Sequence, residues 1–246
     1  MSEQGMKDRV MLCTDLDGTL VGDDEAMHEV LERVSAEGIV LAFSTGRTVG
    51  QVEELVEEAS IEPPEAAMCL VGTEVYFVLD GELVLDPRWA EAISRGWDRE
   101  VLDEVLKDMK ELEPQEEQWQ TDFKRSYYLR EDHSQVVNEI RRRVQEASLA
   151  ARIVYSGGQF LDIIPARSGK ARATAYAAYR LGIEPESVIV CGDSGNDLAM
   201  FEAGFRGIIV GNAEEELQEF SGDNAYHAEA DHGAGIIEGL EHFDIL

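Results

Sequence analysis

Lysine is scarce in this chain. Five occur in 246 residues (Lys7, Lys107, Lys110, Lys124 and Lys170), and with arginine they make 21 basic side chains against 51 acidic ones. The formal net charge is -30. A nucleic-acid partner is not expected, because phosphate backbones are bound by a basic stripe. Self-repulsion at this charge weakens a compact state in dilute salt, and counterions relieve it. The composition therefore points to a salt-rich cytoplasm. The midpoint of urea unfolding should rise between low and molar KCl, and an unmoved midpoint would mark an ordinary acidic protein instead.

Cysteine is just as sparse. Cys13, Cys69 and Cys191 each sit in an apolar strand-like run, their number is odd, and no Cys-x-x-Cys pair occurs. They read as buried free thiols, not as a disulfide framework or a zinc site. The five histidines (His28, His133, His227, His232 and His242) are scattered, and none lies in a motif. A phosphohistidine mechanism thus lacks support. No apolar run approaches the ~18 residues of a membrane span. The N-terminal Met-Ser-Glu-Gln-Gly-Met-Lys-Asp-Arg lacks the apolar core of a signal peptide. A cytoplasmic location with no membrane partner is expected.

What is present is alternation. Short apolar runs at 10–14, 39–43 and 66–71 are separated by amphipathic stretches at 25–37 and 51–59. The alternation resumes with a helical stretch at 170–181, runs at 187–191 and 207–210, and helical stretches at 197–203, 214–220 and 236–242. This pattern predicts an α/β fold with a parallel sheet. Residues 74–85 read differently, as a hairpin turning at Asp80-Gly81. The stretch 87–165 is richer in Trp, Tyr, Arg and Gln. It reads as an inserted α/β module with helices near 89–109 and 133–147 and strands near 125–129, 151–156 and 160–164. Pro87 and Pro165 punctuate its ends. The expected division is a core of 1–86 and 166–246 and an insert of 87–165.

Two acidic motifs follow apolar runs: Asp15-Leu16-Asp17-Gly18-Thr19, and Gly192-Asp193-Ser194-Gly195-Asn196-Asp197. Parallel sheets bind ligands at the carboxyl ends of their strands. If the two runs are neighbouring strands, four carboxylates converge there, and a divalent cation relieves their repulsion. Asp15 can attack phosphorus and form an acyl phosphate. Asp17 can protonate the departing alkoxide and later deprotonate water. Asp193 suits a direct Mg²⁺ ligand. Asp197 suits a metal-bound water or the orientation of Lys170. Asn196 suits phosphate or a substrate hydroxyl. Thr45-Gly46-Arg47 offers a hydroxyl and bare amides to a phosphoryl oxygen, or else caps the helix starting near Val49. Arg47 suits either the phosphate or an acid of the site. Lys170, after Ser168-Gly169, can neutralise phosphate and Asp15 together.

With Asp-x-Asp-Gly-Thr, Ser-Thr-Gly-Arg, Gly-Lys and Gly-Asp-Ser-Gly-Asn-Asp in that order, the whole chain resembles the haloacid dehalogenase (HAD) superfamily of phosphatases. The resemblance implies a Rossmann-like core carrying a mobile α/β cap of the C2 type. It implies Asp15 as nucleophile, Asp17 as acid and base, Thr45 and Lys170 on phosphate, and Mg²⁺ on Asp15, Asp193 and the backbone carbonyl of Asp17. Within the superfamily the chain resembles the sucrose-phosphate phosphatases. That likeness rests on 89–99, Gln115, Gln120, Lys124-Arg-Ser-Tyr, Tyr-Ser-Gly-Gly at 155–158, 161–165 and the C-terminal His-Phe-Asp. Gly18 and Trp119 depart from that family's usual residues. In that family the cap binds glucose, which implies sugar contacts at Gln120, Lys124, Ser156 and Gly158.

The expected partner is thus a small sugar phosphate, best matched by sucrose 6-phosphate. The chain is expected to be a monomer, with weak association to a sugar-phosphate synthase. Glucosylglycerol- or mannosylglycerate-phosphate phosphatases, a phosphohexomutase and a receiver-type phospho-acceptor are the competing readings.

Overall fold

In a computed structural model, the structure describes residues 9–129, 133–156 and 158–246. Residues 1–8 of the N-terminal stretch read for a leader, and Gly157 of the Tyr-Ser-Gly-Gly segment, lie outside the described residues. The chain begins with strand β1 (Met11–Thr14), buried along its length. Helix α1 (Asp24–Ala36) follows, its first turn capped by the Asp23 carboxylate, which accepts from the Ala26 N–H. Strand β2 (Val40–Ser44) leads to α2 (Val49–Glu58), which starts in a capping box of Thr48 and Gln51. Then come β3 (Ala66–Cys69), β4 (Glu74–Leu79) and β5 (Glu82–Leu85). The inserted segment carries α3 (Pro87–Ile93), α4 (Arg99–Leu106), β6 (Glu113–Pro114), β7 (Arg125–Tyr128), α5 (His133–Glu146), β8 (Ala151–Ser156) and β9 (Phe160–Pro165). The chain then returns through α6 (Lys170–Leu181), β10 (Val188–Gly192), α7 (Leu198–Glu202), β11 (Arg206–Ile209), α8 (Glu215–Gln218), β12 (Ala225–His227) and α9 (His232–His242).

Two compact units result. One is the chain up to Leu85 together with Lys170–Leu246, and the other is Asp86–Gly169. The first unit is built on an α/β sheet, ordered β12-β11-β10-β1-β2-β3-β4-β5 among the described residues. It is parallel from β12 to β3, and β4 and β5 add an antiparallel hairpin at one edge. The continuous burial of β1, β2 and β10 is the mark of strands inside a parallel sheet, which leaves them no polar face. From β1 the chain moves outward through β2 and β3, and it later returns on the other side through β10 and β11. That reversal of direction places a crevice at the carboxyl ends of β1 and β10. The register pairs Thr14 with Cys191, so both acidic motifs leave the sheet side by side.

The second unit is a four-stranded antiparallel sheet, β6-β7-β9-β8, among the described residues. Leu102, Leu106, Ile140, Leu161 and Ile163 anchor its core. No helix among the described residues is long and apolar enough to cross a membrane.

The structure refines several expectations. The Asp80-Gly81 turn forms, with φ of 54° and 88°, as a tight hairpin turn requires. The apolar run at 66–71 does not stay a strand. It ends at Cys69, and Leu70 and Val71 turn left-handed at φ 51° and 61°. Such conformations cost on the order of 1–3 kcal/mol each in a non-glycine residue. The compensation is local: the Leu70 N–H donates to the Arg47 carbonyl and the Val71 N–H to the Thr45 carbonyl, each at 2.9 Å. The stretch 89–109 is two helices, not one. It breaks at Gly96, where φ is 79° and a Cβ would come within 2.9 Å of the Ala150 methyl. Asp98 then caps α4 by accepting from the Val101 N–H.

Candidate active site

Because β1 and β10 are neighbours, the Asp15 N–H donates to the Cys191 carbonyl at 3.0 Å. Lys170, the first residue of α6, lies beneath them with its side chain fully buried. Its Nζ donates to Asp15 Oδ1 and to Asp197 Oδ1, both at 2.6 Å. The second oxygen of Asp197 accepts from the N–H groups of Asp193 and Ser194, each at 3.2 Å. Asp193 Oδ1 accepts from the Thr19 hydroxyl at 3.0 Å. Asp15, Asp193 and Asp197 thereby bring one carboxylate oxygen each within 4.8 Å of one another.

Fully ionised, three carboxylates against one ammonium would leave two negative charges uncompensated. Burial raises the Asp15 carboxyl, Lys170 lowers it and Asp197 raises it, and together they bring it up to about 8. Burial, and then Asp197, push Asp193 up to about 6. Burial acts to lower the pKa of Lys170, but the two carboxylates outweigh it and keep the ammonium charged. A cation bound among acids forced toward the neutral form would displace their protons to solvent and take their place. The donors are three carboxylate oxygens, hard ligands of the kind Mg²⁺ takes. The space is also kept clear. A Cβ on Gly18 would fall 2.3 Å from Asp193 Oδ2, and one on Gly192 would fall 2.5 Å from the Asp197 Cβ. Asp15, Asp193 and Asp197 are the residues that would hold the ion.

The Asp17 carboxylate is not part of this cluster. It is 62% exposed and sits in the fork of Arg47, whose Nε reaches both oxygens at 3.0 and 3.2 Å and whose terminal nitrogen reaches Oδ1 at 2.6 Å. Of the two partners open to Arg47 in the sequence, an acid of the site is the one it meets here. Thr45 is buried and accepts from the Arg47 N–H at 3.1 Å. Thr48, not Thr45, caps α2. The Thr45 hydroxyl therefore keeps its proton available for a phosphoryl oxygen. A Cβ at Gly46 would meet nothing within 4 Å, so that glycine serves no close approach within the protein. Asn196 Oδ1 is buried and makes no hydrogen bond among the described residues.

In the second unit, Lys124 is buried with its Nζ 2.9 Å from Asp162 and 5.4 Å from the Trp119 ring centroid. Asp162 also accepts from the Ser126 hydroxyl at 2.6 Å. The Gln120 amide donates to the carbonyls of Gln115 and Ser126, and its oxygen accepts from the Ser126 N–H. Lys124 and Gln120 thus share one polar network around Ser126. Ser156 ends β8 opposite Phe160, and Gly158 lies in the turn between them at φ 65°.

Sequence reasoning missed Thr19, Asn212 and His232. The Thr19 hydroxyl binds Asp193, while Asn212 and His232 both bind the Gly18 carbonyl. No spacing flags a histidine 214 positions away from its partner. The sequence trace is Gly22, whose missing Cβ makes room for the His232 ring.

The family described as sucrose-6F-phosphate phosphohydrolase matches residues 8–244. Sucrose-phosphatase 1 of Nicotiana tabacum is 34% identical over 96% of the chain, which spans 60% of that relative's length. The mannosylfructose-phosphate phosphatase of Agrobacterium fabrum is also 34% identical, over 98% of this chain and 99% of its own. The solved sucrose-phosphatase of Synechocystis sp. PCC6803, in complex with sucrose and phosphate, superposes with a TM-score of 0.88 at 33% identity. That match covers 96% of this chain and 98% of the other. A HAD subclass IIB sugar phosphatase shares the fold with a TM-score of 0.68 at 18% identity, over 96% of this chain and all of its own. The chain therefore belongs to the sucrose-6F-phosphate phosphohydrolase family.

Proposed function

We propose that this chain is a Mg²⁺-dependent phosphatase that hydrolyses a disaccharide phosphate, sucrose 6-phosphate first among candidates, through an aspartyl phosphate. The observation that carries the proposal is the Asp15 carboxylate held by Lys170 within the Asp193–Asp197 cluster. Asp15 attacks phosphorus, a P–O bond to Asp15 forms, and the P–O bond to the sugar breaks. The departing alkoxide takes a proton from Asp17. Water then gives a proton to Asp17 and attacks phosphorus, releasing phosphate and Asp15. The fork of Arg47 donates to both Asp17 oxygens, which suits the acceptor half of that cycle. Thr45, Gly46 and Lys170, with Asn196, receive the phosphoryl oxygens. When bound, Mg²⁺ neutralises the phosphoryl group and Asp15. Gln120, Lys124, Ser156 and Gly158 of the second unit take the sugar.

The Agrobacterium relative supports mannosylfructose phosphate as a second substrate reading, since it matches end to end at the same identity as the tobacco protein. A phosphate-release assay over sucrose 6-phosphate, mannosylfructose phosphate and glucose 6-phosphate separates the readings. We expect release from one of the disaccharide phosphates, abolished by EDTA and restored by Mg²⁺. Isomerised sugar phosphate without release would mean a mutase. A stable phosphoprotein after acetyl phosphate treatment would mean a receiver-like module.

A further inference from the structure

The carbonyl of Gly18 takes two side-chain hydrogen bonds from distant parts of the chain. Asn212, in the loop after β11, donates its Nδ2–H at 2.7 Å, and His232, at the start of α9, donates its Nδ1–H at 2.9 Å. The pair is itself tied together, because Asn212 Oδ1 accepts from the His232 N–H at 2.8 Å. That bond fixes which end of the Asn212 amide faces Gly18. A carbonyl oxygen only accepts, so the ring nitrogen that meets it, Nδ1, is the one that carries a proton.

Two backbone features support a built contact. His232 holds φ of 49°, a left-handed conformation that a non-glycine residue keeps only when its surroundings impose it. Gly22 leaves room for the ring: a Cβ there would lie 2.5 Å from the imidazole.

The clamped carbonyl belongs to the residue that walls the cation site. Gly18 stands at φ 82° with its Cα face against the Asp193 carboxylate, and the next residue, Thr19, donates to Asp193 Oδ1. Rotation of the Gly18 peptide would move both contacts. We infer that Asn212 and His232 are positioning residues for the cation centre. By holding the Gly18 carbonyl they set Thr19, and through it the direction in which Asp193 points. Groups one shell outside a metal typically alter its affinity about 10–100-fold when removed.

The inference rests on the Mg²⁺ reading of the site, and the test separates the two. Mn²⁺ binding to the metal-free protein is titrated by electron paramagnetic resonance in wild type, His232→Ala, His232→Asn and Asn212→Asp, with melting recorded in EDTA. His232→Ala and Asn212→Asp should raise the Mn²⁺ Kd by about tenfold or more. The double variant His232→Ala/Asn212→Asp should lose less than the sum, since both groups hold one oxygen. His232→Asn keeps a donor in the Nδ1 place and tolerates the left-handed backbone, so its Kd should stay close to wild type. Should His232→Ala fail to fold, Asn212→Asp and His232→Asn still decide the matter. Lowered melting with an unchanged Kd overturns the inference and leaves the phosphatase reading standing. Absence of Mn²⁺ binding by wild type overturns the cation reading, and the clamp with it.

Discussion

Asp15→Asn should abolish turnover while leaving a folded protein. The amide is nearly isosteric with the carboxylate, so the packing of β1 against β10 is preserved. Its carbonyl oxygen still accepts from Lys170 Nζ, and Asp197 remains as the charged partner of that ammonium. What is lost is the anionic oxygen that bonds to phosphorus. Removing a nucleophile outright costs up to about 10⁶-fold in kcat in well-studied cases, and we expect at least about 10⁴-fold here. Phosphate release under saturating substrate is the readout, with circular dichroism to establish folding. Residual activity above about a hundredth of wild type would mean that water attacks phosphorus directly and that Asp15 only orients.

The location of the acids was legible because it depends on short-range rules. β1 and β10 are runs of four and five buried residues, each stopped by an acidic turn, and such runs belong inside parallel sheets. Ligands gather at the carboxyl ends of those strands, so two motifs 178 positions apart were expected to meet, and the Thr14–Cys191 register brings them together. The hairpin at Asp80-Gly81 was legible for a similar reason: its dipeptide supplies the left-handed backbone that the turn needs. The second compact unit runs from Asp86 to Gly169, whereas the change in composition led to an expected insert of 87–165.

Other features depend on contacts that no local pattern records. Leu70 and Val71 favour extended backbone by themselves, yet they turn left-handed because their N–H groups bond to the loop of Thr45 and Arg47. Arg47 had two plausible partners in the sequence, and only the folded loop shows its fork on Asp17. His232 lay in no motif, since its partner is a backbone carbonyl, which carries no residue identity. Lys124 read as a sugar contact. Its burial beside Asp162 and Trp119 follows from the pairing of β7 with β9, which the sequence does not spell out.

Lys170→Met should give the largest loss of stability. Methionine fills nearly the same length without charge, so packing changes little. The electrostatics change completely. Asp15 and Asp197 each lose an ammonium at 2.6 Å, and both lie in the buried cluster with Asp193. Breaking a buried pair by deleting one partner costs about 3–5 kcal/mol, because the remaining charges stay buried and unpaired. The urea midpoint in EDTA should fall accordingly. Saturating Mg²⁺ should recover part of the loss in the variant and stabilise wild type less, since the ion would then take over the neutralising role of the ammonium. Activity should fall by about 10²–10³-fold even with the ion present, as for loss of one preorganised donor to a phosphoryl oxygen. An unchanged midpoint in EDTA would show that the carboxyls are already neutral in the folded protein. The argument that this cluster carries unbalanced negative charge would then fail, and with it the physical case for a cation at this edge of the sheet.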